Sequence, residues 1–222
     1  MLRTPRVELR WPALAGLDAL AALAEEGIHD PGVQPFSEPW TDAPPADRAR
    51  STLQYHWRLW GLWRPDNWRL GLVTVADGTV TGMQEVAGRD FAVLREVDTG
   101  SWLGRRFQRQ GIGTHMRAAV LALAFEGLGA QYATTEAFGD NLASRGVSRK
   151  LGYAEDGRNR LAVRGQPVQA IRFRLDRAAW EAHRTVPVEI FRSSAWRRAC
   201  RASVWHHDSS GPASPGPPVS YA

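Results

Sequence analysis

Gly111 and Gly113 stand two residues apart in the stretch RRFQRQGIGTHMRAAVLALAF (Arg105–Phe125). They follow Arg105, Arg106 and Arg109 and lead directly into an apolar-periodic run. The start of a helix exposes free N–H groups and a partial positive charge, which together suit an anionic ligand. Glycines there let the backbone approach that ligand and adopt angles closed to other residues. The spacing excludes two common nucleotide loops. No Lys fills the G-x-x-x-x-G-K-[ST] pattern, and the sixth position counted from Gly111 is Met116, so G-x-G-x-x-G fails too. What remains, Gln108-x-x-Gly111-x-Gly113 after a strand, is a diphosphate cradle of another kind.

A second cluster follows in DNLASRGVSRKLGY (Asp140–Tyr153). At 100° per residue, Asn141, Ser144 and Ser148 fall in one polar stripe, and Ala143, Val147 and Leu151 form the opposite, packed stripe. Asn141 suits an N-cap and Gly152 a C-cap. Ser144 reads either as first-turn polar filler or as a functional hydroxyl, and Tyr153 as a core aromatic or a second hydroxyl donor. Four acids sit at strand ends or turns: Glu85, Glu96, Glu136 and Asp156. Any of them is a candidate to take a proton, although a solvated strand end is the common fate of a lone carboxylate. His115 reads as variation at the edge of the loop. Cys200 is the only cysteine, which excludes an intrachain disulfide and a cysteine-based zinc site. His206 and His207 are adjacent in a Pro/Ser/Gly-rich tail and receive no role.

The elements that must position these groups follow from periodicity. RVELRW (Arg6–Trp11) alternates as a short strand, and Leu14, Leu17, Ala21, Ala24 and Ile28 recur at helical spacing. Asp30–Pro45 is a loop with five prolines. A second helix covers about Ala46–Trp63, with Leu53, Trp57 and Trp60 on one face. WRLGLVTVADGTVTGMQEV is a hairpin turning at Asp77-Gly78, and Glu96–Gly104 is a further strand. The helix from Ile112 ends near Gly127 or Gly129, QYATTEAF is a strand, and a short helix precedes a closing hairpin that turns at Gly165. The order is strand, two helices, three strands, helix, strand, helix, two strands. This is a mixed α/β fold around one sheet rather than a repeating doubly wound pattern.

Composition limits the partners. Of 222 residues, 43% are hydrophobic, enough for one full core and a short appendage. The formal net charge is +5, of which +3 lies from Phe191 onward, so residues 1–190 carry only +2. That near-neutral body argues against nucleic-acid binding through phosphate neutralisation. Arginine supplies 27 of the 28 basic residues, a bias that weakens any argument from a single arginine. The apolar stretch Ala13–Ala24 carries Asp18 and is too short to span a membrane, so a soluble, cytoplasmic protein is expected. Residues 1–190 read as one domain. Residues 191–222 lose periodicity and read as a low-complexity, basic, disordered tail.

QRQGIG (Gln108–Gly113) resembles the Q/R-x-x-G-x-G/A signature of the GNAT-type N-acetyltransferases. Asn141-x-x-Ser144-x-x-x-x-x-Lys150-Leu151-Gly152-Tyr153 resembles the same family's second signature, N-x-x-S-x-x-x-x-x-K-L-G-F/Y. The likeness runs from about Arg6 to Leu175, and the order of elements is the family's. It implies a mostly antiparallel sheet with helices on both faces, splayed where acetyl-CoA enters as co-substrate. The loop Arg109, Gln110, Gly111, Ile112, Gly113, Thr114, with Gln108, would wrap the pyrophosphate. The pantetheine arm would pair with the strand ending at Trp102 and Leu103, and an N–H near Leu103 would polarise the thioester carbonyl. Asn141 and Ser144 would lie beside the cofactor, with Ser144, or alternatively Tyr153, donating a proton to the departing thiolate.

A primary amine is mostly ammonium at neutral pH, so a base must take its proton. Glu136 and Asp156 are the leading candidates. Asp156 stands where a branch acting on ribosomal-protein N-termini usually has Glu, in its G-F-x-x-E-G pattern. The acceptor site would lie between the loop joining the first two helices, with Phe36 and Trp40, and the Arg158–Gln166 turn. Trp57 and Trp60 are expected to close the core instead. The resemblance therefore implies an acetyl-CoA-dependent N-acetyltransferase acting on a protein N-terminus or a small amine, without metal, and capable of homodimerising. The alternatives are a non-catalytic acyl-CoA sensor on the same fold and an interaction role for the tail.

Overall fold

The computed structural model describes residues 1–191, so the expected basic tail, Cys200 and His206-His207 lie outside the described residues. Nine strands form one sheet: β1 (Leu2–Arg3), β2 (Glu8–Arg10), β3 (Asn67–Ala76), β4 (Thr79–Arg89), β5 (Glu96–Leu103), β6 (Tyr132–Phe138), β7 (Ala154–Val163), β8 (Gln166–Asp176) and β9 (Glu189–Ile190). Their order across the sheet is β7-β8-β6-β5-β4-β3-β2-β1-β9, and only β5 and β6 run parallel. Helices α1 (Leu14–Glu26) and α2 (Pro45–Gly61) cover one face. Helices α4 (Ile112–Ala122) and α5 (Leu142–Lys150) belong to the other, while α3 (Phe91–Leu94) and α6 (Arg177–His183) are short connectors.

Both predicted hairpins form, and for the same reason. Asp77 and Gly78 have φ of 47° and 75°, and Arg164 and Gly165 have φ of 49° and 72°. Two consecutive left-handed residues match the twist of flanking strands. Helix α4 is buried nearly all round because it lies across the sheet, and Met116, Ala119, Val120 and Leu121 are fully enclosed. It widens into a π-helical turn over Leu123–Leu128 and stops at Gly129, φ 76°, as the glycine pattern predicted.

Several expectations fail, each through packing. The inner face of α2 is Thr52, His56 and Leu59, so Trp57 and Trp60 are exposed instead of closing the core. Trp60 stacks on Trp11 at 6.2 Å on the surface. The buried Trp68, beside Trp63 and Phe91, fills the core position instead. Leu14 is also exposed. The stripes on α5 are reversed in part: Ser148 is fully buried and Ala143 exposed, because a buried arginine draws the hydroxyl inward. Short elements β1, β9, α3 and α6 carry too few residues for a periodic signal.

Candidate functional site

The site begins where the sheet opens. Strands β5 and β6 pair only at Glu96↔Tyr132, Val97↔Ala133 and Asp98↔Thr134. Beyond that point β5 follows β4 to Leu103 while β6 follows β8 to Phe138, and a cleft widens between them. Side chains clamp its apex: Thr135 Oγ1 donates to the Thr99 carbonyl at 2.8 Å, and Thr99 Oγ1 to the Thr134 carbonyl at 3.2 Å. On the other edge of β5, the Gly104 N–H donates to the Thr81 carbonyl. Antiparallel pairing alternates, so Ser101 and Leu103 direct their main-chain groups away from β4 and into the split.

The glycine loop lies at the mouth of this split. Arg109 and Gly111 both have positive φ, 59° and 80°, with Gly111 as the N-cap of α4. Among the described residues, the N–H groups from Arg109 to Gly113 make no hydrogen bond. Ile112 is buried and anchors the turn, and the Thr114 N–H returns to the Gly111 carbonyl. Gly113 faces Val147 of α5 and Leu103, each 3.8–3.9 Å from where a Cβ would stand. Arg6, read from the sequence only as part of the first strand, lies instead in the turn between β1 and β2 and reaches over Gly111.

Two of the three loop arginines are already engaged: Arg105 pairs with Asp30 at 2.5 Å and Arg106 with Glu26. Arg109 has no ion-pair partner among the described residues. The Gln108 carboxamide donates to the carbonyls of Ile28 at 2.7 Å and Leu103 at 2.9 Å, which ties the loop to the end of α1 and to β5. Gln110 donates back to the Arg106 carbonyl.

The predicted catalytic residues separate onto the two faces. On the α4–α5 face, Asn141 caps α5 by accepting from the Ser144 N–H at 3.1 Å. Tyr153 is buried with its hydroxyl 3.3 Å from Thr99 Oγ1, and burial pushes its pKa up to about 12. Ser144 is half-buried, and its carbonyl accepts from Ser148 Oγ.

On the α1–α2 face, Glu136 and Asp156 line a cleft of about 320 Å³ with Glu96, Asp98, Thr134, Arg172 and Arg174. Three of the four acids have strong partners: Arg174 pairs with Glu96 at 3.1 Å, Arg172 with Asp156 at 3.4 Å, and Asn159 donates to Glu136. Asp98 has only the Thr134 hydroxyl, at 3.5 Å. Solvent reaches Asp98, yet the cleft walls displace much of its surrounding water. That loss, with the nearby Glu85 and Glu136 charges, outweighs Arg69 and pushes its pKa up to about 6. Glu85, buried beside Gly100, is held by Tyr55 and Arg69. The alternation of EVDTGSW puts Asp98 on the opposite face from Val97 and Thr99, a signal that could have found it.

Trp102 joins an aromatic row over the same face, with successive ring centroids of His29, Phe36, Trp40 and Trp102 5.7–5.9 Å apart. The loop between α1 and α2 and the β7–β8 turn, predicted to flank one site, are bridged by Arg164 Nε donating to Asp42 at 2.8 Å.

Residues 6–154 match the family described as an acetyltransferase (GNAT) domain. YdaF of Bacillus subtilis (strain 168), provisionally named a ribosomal N-acetyltransferase, is 29% identical over 110 residues, 49% of this chain and 60% of that protein. The matched stretch thus spans about three fifths of that relative's length. RimJ of Mycobacterium smegmatis, solved with a CoA disulfide, superposes with a TM-score of 0.66 at 22% identity, covering 80% of this chain and 86% of its own. RimL, a ribosomal L7/L12 α-N-protein acetyltransferase solved with coenzyme A, gives 0.63 at 15% identity, covering 79% and 97%. Among the described residues no helix is long and apolar enough to cross a membrane.

Proposed function

Because the chain belongs to the GNAT acetyltransferase family, we propose that it moves the acetyl group of acetyl-CoA to a primary amine, a protein N-terminus or a small amine, by direct attack in a ternary complex. The observation that carries this reading is the β5–β6 split, where pairing stops after Asp98↔Thr134, together with the loop of unpaired N–H groups at the start of α4. Those amides, the N-terminus of α4, Arg109 and Arg6 suit a diphosphate. The acceptor enters from the α1–α2 face, between the Phe36/Trp40 loop and the β7–β8 turn.

Asp98 is the base on this reading. It is the acid in the cleft without a strong partner, and a pKa near 6 leaves it ionised at neutral pH while keeping appreciable basicity. Glu136, held by Asn159, and Asp156, paired with Arg172, shape the acceptor side, and the Glu136 carboxylate, which has no ion-pair partner among the described residues, attracts an ammonium group. The neutral amine attacks the carbonyl carbon and forms the C–N bond. The C–S bond then breaks with its electron pair on sulfur. Main-chain N–H groups of Ser101 and Leu103 stabilise the developing oxyanion. Ser144 and Tyr153 lie on the departing side, where a hydroxyl can hydrogen-bond the sulfur. The acetyl-CoA-binding loop comprises Arg109, Gln110, Gly111, Ile112, Gly113 and Thr114. Gln108 acts by fixing its ends.

Calorimetric titration of the full chain with acetyl-CoA, repeated with Gly111→Trp, tests the reading. Binding by the wild type and its loss in the variant are expected, followed by thiol release in a screen of amines and peptide N-termini. No binding by the wild type would sink the proposal.

A further inference from the structure

Arg117 is a charge in the wrong place for a structural residue. It lies on α4 between Met116 and Ala118 and is 4% exposed. Among the described residues no carboxylate comes within ion-pair distance of it. Its polar contacts are two neutral hydroxyls, Ser148 Oγ at 3.0 Å and Ser101 Oγ at 3.4 Å, and its Nε–H has no partner. A buried cation without a counter-charge costs several kcal/mol, far more than an apolar side chain at the same point of the helix. Asp98 is the one carboxylate whose charge reaches it, from beyond ion-pair distance, so the guanidinium is left with direct capacity for an incoming anion.

The position identifies the anion. Ser101 is on the β5 arm of the split, beyond the last β5–β6 pair, and Ser148 is on α5, which follows the β6 arm. The guanidinium therefore spans the floor of the opening from one arm to the other. Resting on the acetyl-transfer reading above, we propose that Arg117 stabilises the negative charge that develops on the coenzyme A sulfur as the C–S bond breaks. In that step the amine proton goes to the base in the cleft on the opposite face. The C–S electron pair stays on sulfur, which leaves as a thiolate beside the guanidinium.

A neighbouring group fits this division of labour. Tyr153, with its pKa pushed up to about 12, holds its proton more tightly than a thiol does, whose reference value is about 8.5. Full transfer from Tyr153 to the sulfur is uphill, so its hydroxyl supplies a hydrogen bond and the cation supplies the charge. The titratable groups whose charge reaches Arg117 are Tyr153, just after α5, and Asp98 on β5.

The experiment compares the full chain with Arg117→Met and Arg117→Lys. Each is titrated calorimetrically with acetyl-CoA, CoA and desulfo-CoA between pH 6.5 and 8.5 (about the range over which a perturbed thiol ionises). In the wild type, the affinity for CoA relative to desulfo-CoA should rise about tenfold across that range, as a nearby cation favours the thiolate. Arg117→Met should lose that rise while binding acetyl-CoA within about threefold of wild type, because the ester sulfur carries no charge. Arg117→Lys should retain part of it and covers the case in which the Met variant fails to fold. Persistence of the full rise in both variants would overturn the assignment. So would an unchanged rise accompanied by loss of affinity for a dicarboxylic acyl-CoA, which would give the guanidinium to an acyl carboxylate. Failure of the wild type to bind acetyl-CoA and CoA alike would instead remove the acetyl-transfer reading on which the proposal rests.

Discussion

His56 makes the stability of this fold depend on pH in a calculable way. It is fully enclosed under α2, and neither ring nitrogen has a hydrogen-bond partner. Its ring presses on Gly71, where a Cβ would stand 2.9 Å from His56 Cε1. Burial lowers its pKa to about 4, against about 6.5 in the unfolded chain. Folding therefore favours the neutral ring. The stability this provides is complete above pH 6.5 and is lost as pH falls toward 4. Each pKa unit corresponds to about 1.4 kcal/mol, so the loss is roughly 2 kcal/mol at pH 5 and approaches about 3 kcal/mol below pH 4. His56→Leu removes the titration and also two unpaired polar atoms, so it should be neutral to stabilising at pH 7. Thermal unfolding followed by circular dichroism at pH 7 and pH 5 reads the difference. Between those values the wild type should lose about 4–8 °C more in Tm than the variant. Equal losses in both proteins would refute the reasoning, because every other titrating group is common to them.

Three further expectations concern the site and the packing around it. Asp98→Asn should abolish the rise of kcat/KM through about pH 6 and lower the rate by about 10²-fold or more; a pH–rate profile in which the same limb survives would move the base to Glu136 or Asp156. Gln108→Ala leaves the Ile28 and Leu103 carbonyls without their side-chain donor and should cost about 1–2 kcal/mol in urea denaturation, whereas no change would mean that water replaces both bonds. Trp57→Ala should alter stability by no more than about 0.5 kcal/mol, while Trp68→Ala should cost about 3–5 kcal/mol; the opposite ranking would restore the core assignment of Trp57.

The order of the long elements, both hairpin turns and the glycine loop at a helix start were legible in the chain. Each rests on a local rule: periodicity, a left-handed turn pair, or the need for a residue without a side chain at φ 80°. Local rules also located Asn141 as a cap, because that bond spans only three residues. They misread α2 and α5, where a polar and an apolar residue compete for one inward position and the opposite surface decides. His56 and Ser148 are inside because Gly71 makes room for one and Arg117 binds the other. Nothing near either residue in sequence announces this.

The family and the glycine loop that opens α4 thus belong to the sequence, since they depend on residue types at fixed short spacings. The partition of the site belongs to the tertiary structure. The alternation of β5 puts Asp98 on one face and Thr99 on the other. Only the divergence of β5 from β6, fixed by pairing with β4 and β8 far away in the chain, opens a passage between those faces. Whether an acid is free or held, and whether an arginine is solvated or buried without a counter-charge, depends on which strands become neighbours. Contact across many tens of residues sets those charges, and no local spacing encodes it.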